Sequence, residues 1–111
     1  MRDRQAAADW LVSRAQSPAE RAHALEQIIF QWAQYDPAAA GQWLVAQGLD
    51  ANASRAMQIY ADKVAAAFPA EAVAWARRIP DEQARNRTLA SVSERVRKSH
   101  PARAAEFLSA Q

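Results

Sequence analysis

The stretch FPAEAVAWARRIP, residues 68–80, sets a proline six residues before a tryptophan. The separation recurs in YDPAAAGQWL, residues 35–44, with Pro37 and Trp43, and in SHPARAAEFL, residues 99–108, with Pro101 and Phe107. Pro37, Pro69 and Pro101 stand 32 residues apart twice over, and Trp43, Trp75 and Phe107 keep the same interval. Two independent markers thus agree on one period. A further step back falls on Trp10, 33 residues before Trp43, with Ala7 in the place of Ala40, Ala72 and Ala104; Arg4 stands where the proline would be.

A second set of positions repeats between these stretches. Leu25, Met57 and Leu89 are spaced by 32, and each is followed at +3 and +7 by an apolar residue: Ile28 and Trp32, Tyr60 and Val64, Val92 and Val96. That pattern is one face of an α-helix. Each unit therefore reads as a short helix around the tryptophan and a longer one around the Leu/Met position. A fixed period with two helices per repeat is the mark of an α-solenoid. Proline has no backbone N–H and a φ already near the helical value, so Pro37, Pro69 and Pro101 are expected to open the short helices. Asp36, Asp50 and Ser17 with Glu20 supply N-terminal caps, Pro80-Asp81 opens the third long helix, and Gly48 suits the end of a short one.

The expected fold is all-α: a short solenoid of three antiparallel helical hairpins plus a C-terminal capping helix, about seven helices in one domain over 1–111. The units run over about 4–36, 37–68 and 69–100, with a half unit at 101–111. Helices are expected at 3–15, 18–34, 37–47, 51–67, 70–78, 81–98 and 101–109. Six residues after the proline, the aromatic side chain is expected in the core, Trp10, Trp43 and Trp75 alike, with the alanine one turn earlier leaving room for a neighbouring helix. Arg2, Asp3, Arg4 and Asp9 would give the first helix a polar cap, and Arg103 and Glu106 the last.

Composition agrees with this class. Half of the 111 residues are hydrophobic, many of them alanine, the best helix former, and only two are glycine. The mean hydropathy is −0.39. No apolar run reaches the ~18 residues that a spanning helix needs, and no membrane partner is expected. MRDRQAAADW has no apolar core of the signal-peptide kind, so the chain as given reads as cytoplasmic, although a piece excised from a larger secreted or anchored protein would look the same. There is no cysteine, hence no disulfide framework and no thiolate chemistry. The net charge of +2 is unevenly placed: residues 1–68 hold six Lys/Arg against seven Asp/Glu, and residues 69–111 hold eight against five.

The series DPAAAGQWL, FPAEAVAWA and HPARAAEFL resembles the degenerate helical-hairpin repeats with a Pro-x-x-Ala-x-x-Trp core found in many bacterial proteins, and is similar in kind to tetratricopeptide repeats. It departs from the latter in its period, in lacking that family's tyrosine, and in having Ala46-Gln47 and Arg78-Ile79 where that family has Leu-Gly. The resemblance implies a scaffold that binds a protein or peptide.

Catalytic chemistry needs a convergent set of side chains, and few are on offer. His23 and His100 are the only histidines, and no H-E-x-x-H, Gly-rich phosphate loop or G-x-S-x-G is present. Asp81-Glu82 at a helix start is accounted for by the macrodipole. No enzymatic activity, metal or cofactor is expected. The informative residues are those that break the pattern. Turning 100° per residue from the buried position, the outer faces of the long helices collect His23, Gln27, Phe30, Gln31 and Gln34; then Arg55, Ile59, Asp62, Lys63 and Ala66; then Arg87, Ser91, Glu94, Arg95 and Lys98. Phe30 and Ile59 are apolar where water is expected and are the candidate protein-binding residues. Arg87, Arg95 and Lys98 form a basic face, with Arg77, Arg78, Arg85 and Arg97 near in sequence, that suits an acidic partner or a phosphate backbone. A pair between Glu94 and Lys98 would neutralise part of it. The expected function is a non-catalytic protein–protein interaction module; the alternative is a nucleic-acid-binding helical repeat using the basic face. The half unit at the end leaves room for self-association.

Overall fold

The computed structural model describes residues 2–109, and the side chains of residues 5–108. Seven α-helices follow one another: α1 (Arg2–Ser13), α2 (Pro18–Tyr35), α3 (Pro37–Gln47), α4 (Ser54–Val64), α5 (Pro69–Arg77), α6 (Glu82–Ser99) and α7 (Ala104–Ser109). No strand occurs among the described residues. The three long-helix segments α2, α4 and α6 lie side by side in that order. Of the other helices, α1 and α3 pack on α2, α5 sits between α4 and α6, and α7 rests on α5 and α6.

The caps do what their residue types dictate. Ser17 Oγ accepts from Glu20 N–H at 3.1 Å while the Glu20 carboxylate accepts from Gln16 N–H at 2.8 Å, satisfying two otherwise free donors. Asp36 accepts from Ala39 N–H at 3.2 Å and Asp81 from Ala84 N–H at 2.8 Å. Pro37 and Pro69 are the first residues of α3 and α5. Gly48 ends α3 at φ 98°, a backbone region that side-chain-bearing residues avoid. Two elements differ from the sequence expectation. The second long helix does not fill 51–67: Asp50 caps Asn52 N–H at 3.1 Å and tightens 51–53 into a 3₁₀ turn, and α4 runs only from Ser54 to Val64. Pro101 does not open the last helix. There the chain first closes a tight turn, Arg103 N–H to His100 C=O at 3.1 Å, and α7 starts at Ala104.

The apolar faces meet in one core. Leu25, Met57, Trp32, Val64, Val92 and Val96 are buried, as are Trp43 and Trp75 with Ala40 and Ala72; Leu89 is half-buried. Trp10 corrects the reading of the first unit. It is 57% exposed, and Ala8 rather than Ala7 is buried. Trp43 packs at a tilt against Trp32 of α2 at 5.8 Å, and Trp75 against Tyr60 of α4 at 4.6 Å. Trp10 has no such ring contact among the described residues; the Arg14 guanidinium lies 4.6 Å from its ring. The expected polar cap on α1 falls on Arg2, Asp3 and Arg4, whose side chains lie outside the described residues; Asp9 instead accepts from Trp43 Nε1–H at 2.8 Å.

Tyr60 joins three helices. Its ring fills the space beside Gly41 of α3, where an added Cβ would lie 2.6 Å from the phenol oxygen. Its hydroxyl donates to Pro37 C=O at 2.9 Å and lies 3.4 Å from the Glu71 carboxylate of α5. Burial, and then the Glu71 charge, push the phenol up to about 12, so it stays protonated as a donor at neutral pH. On the far edge of the row the chemistry changes: Ile29 and Ala33 on α2, and Ala61 of α4 with Ala65 just after it, are buried, whereas the corresponding α6 residues are the half-buried Ser93 and the exposed Arg97.

Two outcomes follow from this packing. Gly41→Ala drives a methyl against the Tyr60 hydroxyl and is expected to cost about 2 kcal/mol, a fall of roughly 10 °C in thermal midpoint, with part of it recovered in Gly41→Ala/Tyr60→Phe. Trp43→Ala is expected to cost about 3–5 kcal/mol and Trp10→Ala under ~1 kcal/mol, read by urea unfolding of each variant.

Candidate functional site

The outer face of the α2–α4–α6 row brings together residues that are far apart in the chain. Phe30 on α2, Ile59, Asp62 and Lys63 on α4, and Arg95 on α6 line one shallow cleft of about 360 Å³. The register explains the meeting. Adjacent long helices are offset by roughly the 32-residue period, which sets Lys63 beside Phe30 and Arg95 beside Asp62.

Phe30 is half exposed, and the Lys63 ammonium sits 4.2 Å from its ring centroid, where the negative face of the π-system attracts a cation. Ile59 is not the freely exposed residue expected: it is half-buried and packs partly against the core, so it forms the floor. Arg95 Nε lies 3.6 Å from Asp62 Oδ1, and Ser91 Oγ–H donates to the same oxygen at 2.9 Å. Further along the face, Arg55 lies 3.9 Å from Glu26. The cleft thus has an apolar floor, one carboxylate already engaged, and a cation, Lys63, with no carboxylate within ion-pair distance among the described residues.

The basic residues on and between α5 and α6 divide into two groups. Three arginines serve the fold: Arg77 Nη2 donates to Leu108 C=O at 2.7 Å, Arg85 Nη1 donates to Ile79 C=O at 2.9 Å, and the Arg78 guanidinium lies 5.7 Å from the Trp75 ring. Arg87 and Lys98 are exposed and make no ion pair among the described residues, and the Glu94–Lys98 pair is not formed. Of the candidate cations, only Arg95 therefore joins Phe30 and Ile59 in the cleft. Arg87 and Lys98 flank it along α6, about 12 Å and 5 Å from Arg95 at 1.5 Å per helical residue.

Elsewhere the polar side chains are engaged locally. His23 pairs with Gln27 at 3.4 Å. His100 Nε2 is 2.8 Å from Ala66 C=O, and its ring meets Phe107 edge-on. His100 and Glu71 line one open depression, but Glu71 faces Tyr60 and the histidine faces a backbone carbonyl. Among the described residues no cluster of His, Asp and Glu is placed to hold a metal ion, and no helix is long and apolar enough to cross a membrane. A second groove, of about 350 Å³ between α1 and α2, is lined by Leu11, Ile28 and Trp32 with Gln27 and Gln31 on its lip. Sequence reading passed over it because it expected Trp10 to turn inward. It also passed over Asp62 and Lys63 as site residues, although the period that pairs adjacent helices places them beside Phe30.

The chain matches no family model, no curated protein and no solved structure.

Asp62→Asn keeps an acceptor for Ser91 and removes only the charge facing Arg95. With Asp62 and Arg95 partly solvated, the expected loss is under ~1 kcal/mol at low salt and close to nothing at about 1 M salt, read by urea unfolding at the two ionic strengths.

Proposed function

We propose that this chain is a non-catalytic protein–protein interaction module, a small stack of helical hairpins of the solenoid kind that presents the outer face of α2, α4 and α6 to a protein or peptide. The observation that carries the reading is the single cleft formed by Phe30, Ile59, Asp62, Lys63 and Arg95. Half-exposed apolar side chains ringed by charge are the anatomy of a contact site, in which the apolar residues supply affinity and the charges orientation. Localisation is taken as cytoplasmic. A self-associating form would use the exposed Trp10 and Leu11 of α1.

The second reading is nucleic-acid binding on α6, favoured by the solvent-exposed Arg87 and Lys98. It is the weaker one, because Arg77, Arg78 and Arg85 are spent on packing and capping. Few cations remain for a phosphate backbone.

Phe30→Asp is the cleaner probe, since Ile59 also supports the core. In a pull-down from nuclease-treated lysate, a protein retained by the wild-type chain is expected to be lost with folded Phe30→Asp and weakened with Arg87→Glu/Lys98→Glu, whose charges assist. Retention by both variants would reject the cleft, and loss of all material on nuclease treatment would favour the second reading.

A further inference from the structure

The cleft carries enough chemistry to say what kind of partner it takes. Its two ion pairs, Arg55 with Glu26 and Arg95 with Asp62, cancel within the face. What remains is Lys63, Arg87 and Lys98 against Glu94, an excess of positive charge around an apolar floor. The Lys63 ammonium is held over the Phe30 ring rather than by a carboxylate. A cation–π contact at a half-exposed site is worth only ~0.5–1 kcal/mol and leaves the ammonium open to an incoming anion on its outer side. Asp62 is already engaged by Arg95 and Ser91, which leaves the cleft's own carboxylate little to offer a basic ligand.

We propose that the cleft between α2, α4 and α6 binds an acidic linear peptide, one apolar side chain resting on Phe30 and Ile59 and flanking carboxylates meeting Lys63, Arg87 and Lys98. This rests on the interaction-module reading and specifies its partner. The dimensions agree. Arg87 and Lys98 are about 16 Å apart along α6, a span of roughly five residues of extended chain. A peptide with one leucine or phenylalanine among acidic residues therefore reaches the floor and the cations together. A nucleic acid would use the cations but leave the Phe30–Ile59 floor without its apolar anchor.

The test is fluorescence anisotropy with a fluorescein-labelled peptide of about 12 residues, a central leucine flanked by glutamates, titrated with the full chain at about 0.05 M and 0.2 M salt. Saturable binding is expected below about 1 mM, weakened by salt. Loss of about tenfold or more is expected on Lys63→Glu, on Phe30→Asp, and on replacing the peptide's leucine by serine. Circular dichroism checks that both variants remain folded, and Arg87→Glu/Lys98→Glu, on the solvated side of α6, provides an independent reduction if Lys63→Glu is unstable. The inference is overturned if the glutamate peptide does not saturate, if a lysine version binds as well, or if binding ignores Phe30→Asp and Lys63→Glu. It is also overturned if single-stranded DNA binds more tightly and insensitively to Phe30. Failure of the peptide alongside a lysate protein lost with Phe30→Asp leaves the module reading standing and removes only the acidic occupant; failure of both removes both.

Discussion

A phenol ring occupying the room that Gly41 leaves free is the contact on which the middle of the molecule depends. Through it α3, α4 and α5 meet at one point: the Tyr60 hydroxyl donates to Pro37, its ring stacks on Trp75, and its edge lies against a backbone with no side chain. Large against small gives interior density without displacing either helix. The arrangement leaves little tolerance, because a fully buried donor needs its acceptor and a buried ring needs its space. The cleft on the outer face of α4 inherits this order. Ile59 and Lys63 flank Tyr60 on the same helix, so whatever fixes Tyr60 fixes them.

Helix class and most boundaries were legible in the sequence because their causes are local. Proline at the first turn, aspartate or serine before it, and glycine after α3 act within a few residues of themselves. What escaped depended on partners distant in the chain. Trp10 carries the same spacing as Trp43 and Trp75, yet those two pack against aromatic rings on the helix before them, and spacing alone does not report whether such a contact forms. Pro101 likewise matches Pro37 and Pro69, but the helix opens three residues later, after a turn closed on His100.

The candidate surface was legible in part for a related reason. Phe30 and Ile59 stood out singly as apolar residues on an outward face; that they share a cleft with Arg95 required the offset between neighbouring helices. Charge was the hardest quantity to read. Seven arginines and lysines cluster over residues 77–98, but Arg77, Arg78 and Arg85 are committed to backbone carbonyls and a ring, and Arg95 to Asp62. Counting cations overstates a basic face wherever arginine doubles as mortar, since its long stem and forked donors reach carbonyls that a shorter side chain would leave alone.

The thin attachment of α1 bears on how the molecule opens. Only Ala8 of its described side chains is buried, and among the described residues a hydrogen bond from Trp43 to Asp9 ties it to α3. Native proteins release their least-packed segments long before they unfold as a whole. In this chain that first excursion would lift α1 alone and uncover Ile28, Trp32 and Trp43 while α4, α5 and α6 stay closed around Tyr60. Such an opened form would present a wider aromatic surface, reached by breaking the Trp43–Asp9 hydrogen bond and withdrawing one helix face.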